Sequence, residues 1–392
     1  MQVGVGYSGE QSAKEAATRA TQAALERAAI RRADLAVVFA TTNYRAEYTT
    51  LLATVREVSG APSPVGCSGM AVLTSEGEFE GNHGVAVLVV ASDALRARSF
   101  LVPAGASETS SPGATIRRLI DPLPEGLRLL ILLPDPFSVE TARLLSEIEE
   151  DASALPIVGA AASGEPGERR SFQWRGPETT NHGVAGLLLT GEFALRLGVA
   201  QGCQPIGQPS RISRAQGNEI VELEGRPALA RLQETLAALP LQEVERAAHS
   251  LFAGIAREEA AHPIRPGDLL VRHLVGVNPN SGVVAVAERV REGQTIQFVL
   301  RDARAARADM RRMVETLHAA TRRMRPRFGF YFNCLGRGVG LYGDPNHDIT
   351  LISEFFGDLP LIGFFGNGEL APVGGKNYAH SYTGVLAIIG DR

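Results

Sequence analysis

Apolar residues in this chain come in continuous runs rather than in alternation with polar ones. Three such runs, LAVVFA (35–40), LLILLP (129–134) and FGFYFN (328–333), are each followed by a stretch of helical character: 47–59, 139–152 and 346–357. Runs without polar alternation predict strands covered on both faces. After each predicted helix comes a Pro-x-x-Gly element, PSPVG, LPIVG and LPLIG, ending at Gly66, Gly159 and Gly363. A Gly-Glu pair follows (Gly77-Glu78, Gly164-Glu165, Gly368-Glu369), then a last apolar run, introduced twice by NHGVA (82–86 and 181–185) and once by TGVLA. The pattern therefore predicts a repeated strand-helix-strand-strand unit. Parallel crossovers combined with antiparallel returns give an α/β fold class, with mixed sheets packed against each other and helices outside.

Between the second and third units the pattern changes. Helices are expected over 227–238 and 241–261, the latter with Leu241, Val244, Ala248, Leu251, Phe252 and Ile255 on one face. Short strands LLVRHLVGV, GVVAVAE and TIQFVL follow. An Arg-rich helix is then expected over 302–324, with Ala306, Met310, Met313, Val314 and Leu317 as its core stripe. Gly and Pro in ELEGRP place a boundary near 224, giving domains 1–224, with two units, and 225–392, with the third. The stretch 103–112 reads as a linker loop.

A length of 392 residues, 44% of them apolar and 21% charged, suits about two globular domains. The formal charge of −4 offers no phosphate-tracking footprint, so nucleic acid is not an expected partner. All but two of the 39 basic residues, Lys14 and Lys376, are arginine. Cys67, Cys203 and Cys334 form no C-x-x-C pair, which argues against a disulfide framework or structural zinc and fits a reducing, cytoplasmic setting. No secretory leader and no apolar run of membrane-spanning length is apparent, so no membrane partner is expected.

Two stretches match G-x-G-x-x-G: Gly338, Gly340 and Gly343 in YFNCLGRGVGLYGD, and Gly4, Gly6 and Gly9. A dinucleotide loop needs a helix that begins inside the motif. In the first match Asp344 reads as an N-cap and Pro345 as the first helical residue, which leaves an open loop before the helix. The second match has too little chain before it for a full strand. Neither reads as a nucleotide site.

The first match instead brings polar residues to strand ends, where ligands of α/β sheets sit. Asn333, Cys334 and Arg337 end the first strand of the third unit, and Asn367, Gly368 and Glu369 follow its second. Arg337 can fork onto a carboxylate and Glu369 can accept an ammonium, so a small zwitterion such as an amino acid would satisfy both. An internal Arg337–Glu369 ion pair is the alternative. Cys67 in VGCSG permits a nucleophile reading, weighed against core packing in the absence of an identifiable base. His83 and His182 hold equivalent turn positions. His347 and His380 flank the third-unit site and are weighed as pocket donors or axial haem ligands against ordinary solvated histidines.

The ordered motifs PVGCSG, NCLGRG, LIGFFGNGELAP and YAHSYTGVLAI resemble those of the FIST domain family, an N-terminal FIST region followed by a C-terminal one, over nearly the whole chain. The resemblance implies a bacterial sensory, signal-transduction protein that binds a small ligand, an amino acid among the candidates, and acts through a partner such as a histidine kinase or other output module. Some similar proteins are thought to bind haem and sense nitric oxide. The matching positions are Cys334, Arg337, Gly368, Glu369 and Thr383, with Gly66, Cys67 and Ser68 in the first region. Asn333, Asn367 and Tyr382 complete the expected lining. The longer GMAVLTSEGEF after Ser68 departs from the family pattern. The expectation is thus a non-enzymatic small-ligand sensor without a resident cofactor, then a haem-based sensor, then a cysteine-dependent enzyme.

Overall fold

The computed structural model describes residues 1–105, 111–122, 126–149, 155–165, 167–257, 264 and 266–392. The strand Leu35–Thr41 shows why the apolar runs are continuous. Leu35, Val37 and Phe39 join one core, while Ala36, Val38 and Ala40 face a second core formed with Ala13, Ala16, Ala17, Ala20, Ala24 and Ala28 of the helix Ala13–Ala28. Each large apolar side chain buried this way contributes about 1.5–3 kcal/mol. That helix starts at Ser12, whose hydroxyl accepts from the Glu15 N–H at 3.4 Å. It lies so close to the strand Gln2–Ser8 that a Cβ at Gly4 would meet the Ala24 carbonyl oxygen at 2.0 Å, and one at Gly6 the Ala20 oxygen at 2.1 Å. The N-terminal glycine motif is therefore a helix–strand contact. The seven-residue strand contains Gly4 and Gly6 rather than preceding them, in keeping with the expectation of too little chain before the motif.

Two compact units are present. The larger comprises Met1–Ala200, Arg311–Ala379 and Thr383–Arg392; the smaller comprises Gln201–Met310 and His380–Tyr382. In the larger unit three stretches share one pairing scheme. Leu35–Thr41, Leu127–Pro134 and Arg325–Cys334 each lie parallel to the next long strand (Val65–Gly69, Ile157–Ala160, Leu361–Gly366). Each is also antiparallel to a later one (Val85–Ala91, Gly183–Gly191, Thr383–Asp391). The hairpin between those strands leaves for another sheet every time. Ala71–Thr74 pairs with Leu361–Gly366, Glu369–Val373 with Ile157–Ala160, and Gln173–Arg175 with Val65–Gly69. This closed exchange ties three six-stranded sheets together around one core that includes Phe39, Ile131, Leu187, Phe330, Phe332 and Phe364.

The exchange corrects the expected equivalence of the Gly-Glu pairs. Glu369 opens the strand that directly follows Leu361–Gly366, whereas Glu78 lies on the second strand of its hairpin, Gly77–Glu80, and Glu165 lies in a loop ahead of Gln173–Arg175.

In the smaller unit the strands Thr295–Arg301, Ser210–Gln216, Glu219–Leu223, Val283–Val286, Leu269–Asn278 and Leu251–Ala256 close a circuit by antiparallel pairing. The helix expected over 241–261 ends at Ser250, and Leu251–Ala256 is a strand. Leu251, Phe252 and Ile255 fit a helical stripe as well as a strand, so periodicity merged the two. Residues 258–261 of that expectation lie outside the described residues, as do 150–152 of the helix observed as Thr141–Glu149 and 106–110 of the linker loop. The Arg-rich helix spans Ala303–Ala320, and all five residues of its expected core stripe are buried. Among the described residues no helix is long and apolar enough to cross a membrane.

Candidate functional site

The strand Arg325–Cys334 ends in a polar centre built from inward-facing residues. Arg337, three residues past the strand, is fully buried and turns its guanidinium onto Asp348, with Nε at 3.2 Å and Nη2 at 3.0 Å from Oδ2. Asp348 lies in the first turn of the helix His347–Phe356, where the N-terminal dipole favours a carboxylate. Its Oδ2 also accepts from the Tyr331 hydroxyl at 2.8 Å and the Asn333 amide at 3.3 Å, and its Oδ1 lies 3.0 Å from Nδ1 of His347. The Tyr342 hydroxyl accepts from Arg337 Nη2 at 2.6 Å. Burial opposes ionisation of Asp348, but the guanidinium and the hydrogen bonds outweigh it and hold the carboxyl well below its ordinary value.

A second carboxylate reaches this centre from the exchanged hairpin. Glu78 Oε1 accepts from the N–H groups of Asp348 and Ile349, both at 3.2 Å, and thereby caps their helix, while the Glu78 N–H donates to Asn346 Oδ1 at 2.6 Å. Desolvation, then the Asp348 charge, push the Glu78 carboxyl up. The helix N-cap is Asn346, at φ 61°, rather than Asp344, and the expected open loop holds a short helix, Val339–Tyr342. The loop is pinned to the same hairpin by the Val339 N–H, which donates to Glu80 Oε1 at 2.9 Å.

Glu369 is fully buried. Its Oε2 accepts from the Thr383 hydroxyl at 2.8 Å and the Thr383 N–H at 3.2 Å. Desolvation raises its carboxyl to about 7 against those bonds, a hydrogen bond from Cys334 and the charge of Arg337. Arg337 and Glu369 thus feel each other, but the ion-pair partner of Arg337 is Asp348. Among the described residues, three buried polar atoms here carry no hydrogen bond: Arg337 Nη1, Glu369 Oε1 and Glu78 Oε2. Leaving such atoms unmatched costs about 1–3 kcal/mol each.

Of the sequence-named residues, the fold brings Asn333, Cys334, Arg337, Glu369 and Thr383 together. Asn367 is exposed at the adjoining turn, and its N–H donates to the Ala161 carbonyl at 2.8 Å. Gly368, at φ 105°, accepts from the Ala161 N–H at 2.8 Å. Tyr382 belongs to the smaller unit, where its hydroxyl lies 2.9 Å from His273 Nε2. Gly66, Cys67 and Ser68 are buried within the strand Val65–Gly69. A Cβ on Gly66 would meet the Val38 carbonyl oxygen at 1.7 Å, and the Ser68 hydroxyl donates to the Ser163 carbonyl at 2.8 Å. Cys67 sits in the central core, and burial pushes its thiol up, the opposite of what a nucleophile needs.

His347 stacks on Tyr342 at 3.9 Å, and its Nδ1 is engaged with Asp348. His380 belongs to the smaller unit. Among the described residues no group of three or more His, Cys, Asp or Glu side chains is arranged to hold a metal ion. In the larger unit an open concavity of ≈ 360 Å³ lies beside Ser111, Glu140 and Glu147, none of them a residue of the polar centre; in the smaller unit one of ≈ 530 Å³ lies beside Leu236, Phe252 and His273.

Asp348, Tyr331, Tyr342 and Glu78 were not singled out from sequence. The available signal was an acidic residue in the first turn of the apolar helix HDITLISEFF. The arrival of Glu78 depends on an exchange between sheets that spacing does not reveal.

Comparison with known proteins finds the FIST N domain over residues 34–226 and the FIST C domain over 228–372. These ranges meet near residue 227, whereas the compact units divide at 200 and 310. An uncharacterized protein of Mycobacterium tuberculosis strain H37Rv is 33% identical over 393 residues, covering 100% of both chains. One from Mycobacterium bovis is 33% identical over 100% of this chain and 99% of its own. F-box only protein 22 of Homo sapiens is 32% identical over 129 residues, 28% of this chain and 31% of that protein. A solved cyanuric acid hydrolase from A. caulinodans aligns over 100% of this chain at 12% identity with a TM-score of 0.32, too low to carry any argument. FIST domains are sensory domains, which supports a sensory, signal-transduction role, and the chain belongs to the FIST family.

Proposed function

We propose that this protein is a non-enzymatic sensor that binds a small polar ligand, an amino acid or a close relative, at the buried centre between Arg337 and Glu369. The observation that carries the reading is the set of unmatched atoms in one charged, buried place, Arg337 Nη1 and Glu369 Oε1. Proteins rarely leave such groups without a partner, and a ligand offering one acceptor and one cationic donor would supply both. Entry requires movement of the stretch 335–343, which carries Arg337, contains Gly336, Gly338, Gly340 and Gly343, and exposes Leu335 and Val339. That movement is how occupancy would be reported to a signalling partner, because the stretch is tied to the exchanged hairpin through Glu80. The setting proposed is cytoplasmic. A thermal-shift panel on the wild type and Glu369→Gln tests the reading: a ligand that stabilises the first and not the second supports it.

A further inference from the structure

We propose that the ligand of this centre is recognised through a protonated amine, with a neutral hydrogen-bond acceptor, not a carboxylate, set against Arg337. The inference rests on the ligand-binding reading above. Its basis is which charges are already matched. Asp348 takes the guanidinium through Nε and Nη2, so the positive charge of Arg337 is balanced before any ligand arrives. What Arg337 still offers at Nη1 is N–H donors rather than an uncompensated charge. A ligand carboxylate placed there would bring a further negative charge beside Asp348, with Glu78 and Glu369 within electrostatic reach of the same guanidinium. An amide or hydroxyl oxygen would satisfy Nη1 without that repulsion.

Glu369 has the opposite requirement. Both Thr383 donors go to Oε2, and Oε1 has no hydrogen-bond partner among the described residues. An ammonium would match an ionised Oε1 in this fully buried setting, where a charge-assisted bond is strong. The groups facing Glu369 are Arg337, the Cys334 thiol and Thr383; those facing Glu78 are Asp348, Glu80, Arg337 and the N–H groups of Asp348 and Ile349. Because burial holds Glu369 partly protonated near neutrality, amine binding should expel its proton.

The test titrates the full chain with alaninamide, alanine and propionate at about pH 6.5, by calorimetry in two buffers of different ionisation heat. Alaninamide should bind at least about tenfold more tightly than alanine, release protons, and lose at least about tenfold in affinity in Glu369→Gln. Glu369→Asp, which keeps the charge but shortens its reach, should also weaken alaninamide binding and serves if the Gln variant does not fold. Equal or tighter binding of alanine, lost in Glu369→Gln, would overturn the neutral-acceptor assignment, and equal or tighter binding of propionate the amine assignment as well, while leaving the site in place. The same holds if alaninamide fails but another small molecule stabilises the wild type and not Glu369→Gln. No response to any compound would overturn both the assignment and the site.

Discussion

Arg337 and Asp348 meet through two guanidinium nitrogens, at 3.2 and 3.0 Å from one carboxylate oxygen, and neither side chain is exposed. Removing one partner leaves the other as an uncompensated buried charge, which costs about 3–5 kcal/mol. Arg337→Met and Asp348→Leu should each lower stability by that order. Arg337→Met combined with Asp348→Leu should cost less than the two single losses added together. Urea denaturation of the four proteins checks this; additive losses would show that the pair acts as two independent contacts.

Stability should fall as pH rises through the neutral range. The folded-state value of Glu369, about 7, lies above the ordinary carboxyl value of about 4.3, so the native state holds a proton that the unfolded chain releases. Its contribution is complete below about pH 4.3 and is lost as pH rises through about 7, with a slope of at most about 1.4 kcal/mol per pH unit. Glu78 acts in the same direction. Asp348, held down, acts oppositely: its contribution is present above about pH 3.9 and is lost as pH falls. Glu369→Gln should flatten the decline between about pH 4.3 and 7 and leave the acid limb unchanged. Denaturation across a pH series measures both limbs, and an unchanged slope in the variant would remove Glu369 from this account.

A Cβ at Gly363 would stand 1.7 Å from the Tyr331 carbonyl oxygen, a clash with backbone that no rotamer relieves. Gly363→Ala should destabilise by about 3 kcal/mol or more. Gly340→Ala meets nothing within 4 Å and should be nearly neutral. Melting temperatures of the two variants decide it.

All three cysteines are buried, Cys67 completely. In native protein a thiol reagent should label Cys67 only at the rate of unfolding, with full labelling in denaturant. Rapid native labelling of Cys67 would revive the cysteine-enzyme reading.

Much of the fold was legible because strands buried on both faces are written as unbroken apolar runs. The expected runs at 35–40, 129–134 and 328–333 lie within the strands Leu35–Thr41, Leu127–Pro134 and Arg325–Cys334. Periodicity failed at Leu251, where one helix and one strand share an apolar stripe. The polar cluster at the end of the third first strand was legible from Asn333, Cys334 and Arg337. The ion-pair partner of Arg337 was not, because Asp348 is brought back by a helix whose start depends on Glu78, a residue 270 positions away in sequence. The assignment of Tyr382 was not legible either: three residues, His380–Tyr382, group with the smaller unit although the chain on both sides of them groups with the larger.

The most direct test is a thermal-shift panel of amino acids, their amides, short carboxylates, nucleotides and haemin on the wild type and Glu369→Gln. Arg337→Ala is unsuitable because it breaks the pair with Asp348. A ligand at 100 times its dissociation constant adds about 2.7 kcal/mol, a shift of roughly 5–10 °C. The account predicts such a shift with an amino acid or its amide, abolished in Glu369→Gln. A shift with haemin alone, or none with any compound, would contradict it and leave the Arg337 centre a structural lock.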